Sequence, residues 1–352
     1  MARLSPFGGV EIDYEDQRPC PSSLVKIEHV MKVLVTGAAG MLGRKFCQEL
    51  ATLGVIAGQK VESLTMVDIV ESPPIPGSPF TIRSVACDLG SPGVAEGVVA
   101  DRPDIVLHTA AIVSGEAEAD FDKGYRINVD GTRYLFEALR KANNRPRVVF
   151  TSSIAVFGAP FPEVIGEEFF LTPLTSYGTQ KAIGELLLAD YTRKGFFDGI
   201  GIRLPTICVR PGKPNRAASS FFSGIIREPL NGQEAILPVP DTVRHWFASP
   251  RSAVRFFFRA AEIDGALVGD RRNLSMPGLS ATVGEMIESL ERCAGPDRVK
   301  LIRREPDTTI MRIVEGWARN LDASRARSLG FQAEANFDEI IGAHIEDQGI
   351  KV

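Results

Sequence analysis

The residues of this sequence best suited to chemistry are Ser153, Tyr177 and Lys181. Tyr177 and Lys181 stand four apart in Tyr-Gly-Thr-Gln-Lys, a spacing that puts both on one face of a helix. An ammonium beside a phenol favours the phenolate. Tyr177 is therefore expected to serve as a base in alcohol oxidation, and as an acid in the reverse carbonyl reduction, near neutral pH. Ser153 lies in Thr-Ser-Ser-Ile-Ala-Val-Phe-Gly at the end of an expected strand, where its hydroxyl can hold a substrate oxygen and stabilise charge developing on it. Ser152 competes for that role. On its own a Tyr/Lys pair is an ordinary helix-surface feature, and the weight given to this one comes from the segment upstream.

There, Gly37, Gly40 and Gly43 form GxxGxxG directly after the apolar run Lys32 to Thr36 and open a helix. Glycine lets the turn tighten and the backbone approach a pyrophosphate. The first N–H groups of the helix, around Met41 and Leu42, can then receive the phosphates. Asp68 ends a second strand candidate, Leu64 to Asp68, where its carboxylate can accept hydrogen bonds from the adenosine ribose. The same charge repels a 2′-phosphate, and Ile69, Val70 and Glu71 supply no compensating cation, so NAD is expected rather than NADP. Asp88 and Leu89 follow a third strand and are expected near the adenine. Ala110 and Ala111 are small enough to let the loop after His108 pass close to the cofactor, while His108 is read as a packed histidine rather than a base.

These residues need a scaffold. Thr81 to Val85, Ile105 to His108, Arg147 to Thr151 and Gly201 to Ile207 are near-continuously apolar, as strands covered by helices on both faces are. Helical stretches, clearest at Phe121 to Ala142 and Tyr177 to Arg193, separate several of them. The expected fold is α/β, a Rossmann-type doubly wound parallel sheet. After about residue 208 the order is less regular, and a smaller C-terminal substrate-binding lobe is expected. The expected division is a loosely ordered extension at 1–30, a dinucleotide-binding and catalytic domain at 31–207, and at 208–352 a mainly substrate-binding lobe with segments returning to the main domain. Met31, just before the first strand, also permits a folded unit that begins there.

Composition narrows the field. The 352 residues are 44% hydrophobic and 8% aromatic, which fits a well-filled core rather than a disordered chain. The balance of 40 basic and 44 acidic residues gives a net charge of −4 and argues against nucleic acid as a partner. No apolar run reaches the roughly 18 residues of a membrane-spanning helix. Five scattered cysteines without a CxxC pair, apart from the four histidines, argue against a disulfide framework or a metal site and fit a reducing cytoplasm.

The ordered set Thr36 to Gly43, His108 to Ala111, Asn128-Val129-Asp130-Gly131-Thr132, Ser152-Ser153 with Val156-Phe157-Gly158, and Tyr177 to Lys181 resembles the extended short-chain dehydrogenase/reductase family, which includes NAD-dependent epimerases and dehydratases. The resemblance implies that Ser153, Tyr177 and Lys181 are catalytic, that Lys181 also binds the nicotinamide ribose, and that Asn128 helps organise a water-mediated proton route near Lys181. It also places Pro205 and Ile207 by the nicotinamide. Phe157 departs from the pattern, since sugar-nucleotide members often carry Tyr there. The later loops contain Arg210, Lys213, Arg216, Arg244 and Arg251, with His245 nearby, and an arginine can grip a carboxylate through paired hydrogen bonds. A small anionic sugar acid is therefore the expected substrate, with Ser114, Arg210, Arg216, Arg244 and His245 as candidate contacts. The stretches Ala111 to Phe121, Arg203 to Ile207 and Arg210 to Phe221 resemble members that oxidise the C2 alcohol of a four-carbon sugar acid with NAD. A sugar-nucleotide epimerase and a noncatalytic NAD-sensing protein are the alternatives. A homodimer, paired through the two long helical stretches, is the expected assembly.

Overall fold

The structure is a computed structural model that describes residues 30–212 and 219–352. Residues 1–29 of the expected extension, and Lys213 and Arg216 of the substrate loop, lie outside the described residues. The apolar runs form parallel strands: β1 (Met31–Thr36), β2 (Gln59–Asp68), β3 (Thr81–Ala86), β4 (Ile105–His108), β5 (Arg147–Ser153) and β6 (Asp198–Leu204). Between them run helices α1 (Met41–Leu53), α2 (Gly131–Ala142) and α3 (Ser176–Arg193). Strands β2 and β3 lie on one side of β1, while β4, β5 and β6 lie on the other. The chain thus reverses direction across the sheet between β1 and β4, the place where such sheets bind ligands.

Alternate residues of the strands feed two opposite cores, which is why the runs read as continuously apolar. Val33 and Val35 pack with Phe46, Leu50 and Phe257 on one face. Leu34 and Val106 pack with Leu135, Phe136 and Leu139 of α2 and Leu188 of α3 on the other. In-register pairing of Thr36 with His108, and of His108 with Phe150, brings the glycine turn after β1, the Thr109 to Ala111 loop and the end of β5 to the same edge.

Beyond β7 (Thr206–Ile207) the chain builds a further core from α4 (Ser220–Leu230), β8 (Ala235–Leu237) and β9 (Arg244–Ala248). Phe222, Ile225, Phe247, Met286, Leu290 and Ile340 fill it. Two later elements rejoin the main sheet: α5 (Pro250–Glu262) packs against α1, and β10 (Asn273–Ser275) extends the sheet beside β6. Further elements include β11 (Leu279–Thr282), α6 (Val283–Ala294), β12 (Ile302–Arg304) and the last helix, α7 (Phe337–Gln348). β7, β9 and β11 form a three-stranded sheet, and β8 pairs with β12. Among the described residues no helix is long and apolar enough to cross a membrane.

The expected helix from Phe121 to Ala142 is not continuous. A short turn, Phe121–Gly124, passes into a π-helical segment, Tyr125–Asp130, before α2 begins. The wider turn puts Asn128 inside, where its amide meets the backbone of Ile112. A hydrophobic period cannot reveal a single extra residue in a turn.

Candidate active site

At the cofactor end, α1 starts at Gly40 without a side-chain cap, so the first N–H groups of the helix are left for a ligand. Gly37 has φ 76°, and a Cβ there would come 2.6 Å from the Ala110 nitrogen. A Cβ on Gly43 would run into the Gly37 carbonyl. The glycines therefore let strand, loop and helix close into one cradle. Asp68 belongs to the same turn: its Oδ2 accepts from Ala39 N at 2.9 Å and its Oδ1 from Ile69 N at 2.7 Å. Orphan helix donors beside a fixed carboxylate fit a dinucleotide with free ribose hydroxyls.

Asp88 accepts from Gly90 N at 2.9 Å and from Arg126. Burial works against its charged form, but the Arg126 and Gly90 hydrogen bonds hold the carboxyl below its usual range. Leu89 is buried with the α2 residues. Met41 and Leu42 are partly buried at the head of α1, Ala110 and Ala111 partly buried beside the turn, and Pro205 buried between β6 and β7. Ile207 sits in the core and offers its carbonyl to Arg210 Nε at 3.1 Å.

At the chemical end, Thr175 caps α3 by accepting from Gly178 N at 3.1 Å, which starts the helix just ahead of Tyr177. Lys181 is buried, and its Nζ donates to the Thr151 carbonyl at 2.8 Å while lying 5.0 Å from the Phe150 ring centre and 5.7 Å from that of Tyr177. Burial pulls the lysine down to about 8, with Glu185 opposing. Tyr177 is partly exposed as a residue, yet loss of water around its phenol pushes it up to about 12; the charge of Arg210 and a hydrogen bond with Ser153 pull the other way. The expected cation beside the phenol was Lys181. Arg210 adds a second positive charge to that of Lys181, whose ammonium lies over the same ring.

Strand alternation gives the two serines different surroundings. Ser152 points to the buried side and donates to Glu185 Oε1 at 2.5 Å, whereas Ser153 lies at the strand end and bonds the Tyr177 phenol. Asn128 is not hydrogen-bonded to Lys181. Its Oδ1 accepts from Ile112 N at 2.9 Å, and its Nδ2 donates to Ile112 O at 3.1 Å and Gln180 Oε1 at 2.7 Å. Those bonds fix the loop that leads to Ser114, the first residue of a short helix. His108 is buried and satisfied: Thr132 donates to the Asn128 carbonyl, so it accepts from His108 Nε2–H, and Thr36 donates to Nδ1. Burial holds it at about 3, in keeping with a packed histidine.

Two expected substrate contacts, Arg244 and His245, have partners within the protein. Arg244 donates to Ser280 O at 2.9 Å and to Glu285 at 3.4 Å, an exposed pairing at the β9 and β11 edge. His245 is buried, stacked on Phe222 at 5.3 Å and bonded to Thr206 Oγ1 at 2.6 Å. Burial brings it to about 4, so it is a neutral part of the wall. Of the loop arginines in described positions, Arg210 is the one whose charge acts on Tyr177. Phe157 is buried, with Arg203 5.0 Å from its ring centre, and belongs to the packing rather than to a sugar contact.

Sequence reasoning missed Thr151, Gln180, Arg203 and Glu185. The signal for Glu185 was present, since Tyr177, Lys181 and Glu185 recur at four-residue intervals along one helix face. It also missed His344 of α7, which lines a cavity with Ala39, Met41 and Lys45 beside the head of α1.

Comparison with known proteins agrees with this layout. The model of the NAD dependent epimerase/dehydratase family matches residues 33–263. The chain is 46% identical over 324 residues to D-erythronate dehydrogenase of Cupriavidus necator, covering 91% of this chain and 99% of that one. It is 40% identical over 316 residues to D-erythronate dehydrogenase of Haemophilus influenzae, covering 90% and 99%. Among solved structures, the nucleoside-diphosphate-sugar epimerase from Agrobacterium tumefaciens superimposes with a TM-score of 0.89 at 62% identity, over 92% of this chain and 96% of that one. Since the family match runs through the glycine turn, Ser153, Tyr177 and Lys181 alike, the chain belongs to the NAD dependent epimerase/dehydratase family.

Proposed function

We propose that this enzyme oxidises the C2 hydroxyl of D-erythronate to the 2-oxo acid, with NAD as cofactor. The observation that carries the reading is Ser153 at the end of β5 beside α3, which bears Tyr177 and the buried Lys181, with Arg210 on the segment after β7 adding its charge to the same phenol. In a 2-hydroxy acid the carboxylate is attached to the reacting carbon. A guanidinium close to the catalytic phenol, rather than at the far end of a long site, suits that substrate. Both curated relatives described above are D-erythronate dehydrogenases.

When bound, NAD supplies the hydride acceptor. Tyr177 takes the hydroxyl proton, Ser153 holds the substrate oxygen, and Arg210 holds the carboxylate. Ser114 contacts the same substrate from the loop that Asn128 fixes, and Arg216 is kept as a further contact on the sequence reading alone. Lys181 holds the nicotinamide ribose. Gly37, Gly40, Met41, Leu42 and Gly43 hold the phosphates, Asp68 the adenosine ribose, Asp88 and Leu89 the adenine edge, and Ala110, Ala111, Pro205 and Ile207 flank the rest of the cofactor. Water relays the proton onward past Lys181.

The test is NAD reduction across four-carbon sugar acids. NADH and a 2-oxo acid should accumulate with D-erythronate. Isomerisation of a UDP-sugar without NADH accumulation would replace this reading by the epimerase suggested by the Agrobacterium relative's name. The assembly is read as a homodimer through α2 and α3, on whose outer surface Leu186 is 65% exposed; a monomer mass by light scattering would refute it. Cys47, Cys87, Cys208 and Cys293 are free thiols, which supports a cytoplasmic location, to be checked by fractionation.

A further inference from the structure

Behind the catalytic serine lies a buried charged cluster to which the reaction scheme assigns no part. Glu185 of α3 is 1% exposed and Arg203 of β6 7% exposed, and they pair in two-pronged fashion, Nε to Oε1 at 2.9 Å and Nη2 to Oε2 at 2.8 Å. Ser152 adds a third donor group at 2.5 Å to Oε1. Arg203 also stands over the Phe157 ring. A buried ion pair is a poor stability device, since apolar residues of similar volume often do as well or better, so its presence here asks for another reason.

Position supplies one. Ser152 and Arg203 are direct cross-strand partners on β5 and β6, and Ser152 adjoins Ser153. Glu185 is one turn beyond Lys181 and two beyond Tyr177 on α3. The cluster therefore bolts the helix that bears Tyr177 and Lys181 to the strand that bears Ser153. We infer that Glu185 is a positioning residue for the reaction, keeping Lys181 charged and in register beneath Tyr177 through this bridge.

The surrounding charges leave that task to Glu185. From β4, His108 faces Lys181 but is neutral. From β6, Arg203 is committed to Glu185. On α3 itself Tyr177 is the other titratable neighbour, and Arg210 acts on Tyr177 from the segment after β7. Glu185 opposes the burial that brings Lys181 down to about 8. Without the carboxylate, burial acts unopposed and the lysine loses its proton at lower pH. The Tyr177 phenolate then keeps Arg210 but loses the ammonium one turn along α3, and its ionisation midpoint moves up.

The test reads Tyr177 itself and needs no substrate, so failure of the D-erythronate assignment would not affect it. In NAD-bound protein the tyrosinate absorption is titrated, and the spectrum of the matching Tyr177→Phe variant is subtracted in each background. Glu185→Gln should raise the midpoint by about half a pH unit or more, a roughly threefold loss of phenolate at a given pH. Glu185→Asp, which keeps the charge, should stay near the wild-type value. Should Glu185→Gln fail to fold because it strands a buried guanidinium, the double variant Glu185→Gln with Arg203→Gln removes that charge and should show the same rise. A folded double variant with the wild-type midpoint would overturn the inference, as would a Glu185→Asp shift as large as that of Glu185→Gln.

Discussion

Tyr177 meets two opposed influences: its phenol has lost water, and it bonds Ser153 within the field of Arg210. The proton it must accept in oxidation has no substitute acceptor in view, because His108 and His245 are buried and held at about 3 and about 4. Tyr177→Phe should therefore lower kcat by about 10²- to 10⁴-fold, the usual worth of a positioned general base, with NAD affinity little changed. Turnover at the wild-type rate would refute the proton-transfer role. Arg210 predicts a different signature. A hydrogen-bonded ion pair with a carboxylate is worth about 1.5–3 kcal/mol, so Arg210→Met should raise KM for the sugar acid about 10- to 100-fold while NAD titrates as before. Arg244→Met, whose guanidinium already serves Ser280 and Glu285, should leave KM within about twofold of the wild type, as a surface substitution would. Equal effects of the two substitutions in steady-state assays would remove the reason for singling out Arg210.

At the scale of elements, the contact between α1 and the turn after β1 depends on missing side chains. A Cβ at Gly43 would collide with the Gly37 carbonyl, and backbone cannot step aside as a flexible side chain can. Gly43→Ala should cost about 1–3 kcal/mol by overpacking and weaken NAD binding, read as a lower Tm together with a higher Kd; unchanged values of both would contradict the close packing. This part was legible in the sequence, because glycine spacing, apolar runs and the Tyr177 and Lys181 spacing are local patterns. β4 begins and ends where its apolar run does, and α3 starts one residue before Tyr177. What escaped depended on distant partners. Nothing local shows that Arg244 meets Glu285, that His245 is sealed against Phe222, or that Asn128 turns inward on a π-helical segment toward Ile112. Nor could the run from Phe121 to Ala142 reveal its own interruption, since a π-turn shifts the helical face without changing which residues are apolar.

Across the whole molecule, burial has been extended to groups that would rather be charged in water. His108 lies between β4 and α2, His245 in the core around Phe222, and His344 on α7 beside the head of α1. Burial lowers all three, to about 3, about 4 and about 4, from an ordinary 6.5. A histidine depressed in the folded state takes up its proton more readily once unfolded. Stability should therefore fall as pH drops below about 6.5, by up to about 1.4 kcal/mol per pH unit for each such histidine, until the folded-state values near 4 and 3 are reached. This is the reverse of the pattern for a histidine that gains an acidic partner on folding. Near pH 5.5 few carboxyls differ in protonation between the two states, so unfolding should draw in about three protons, one per histidine. The slope of urea-unfolding free energy against pH gives that number directly, and substituting Gln for His344 should reduce it by about one. A slope near zero would mean that these rings reach water in the folded protein, and the account of a scaffold that keeps its histidines neutral, leaving the proton transfer to Tyr177, would fail.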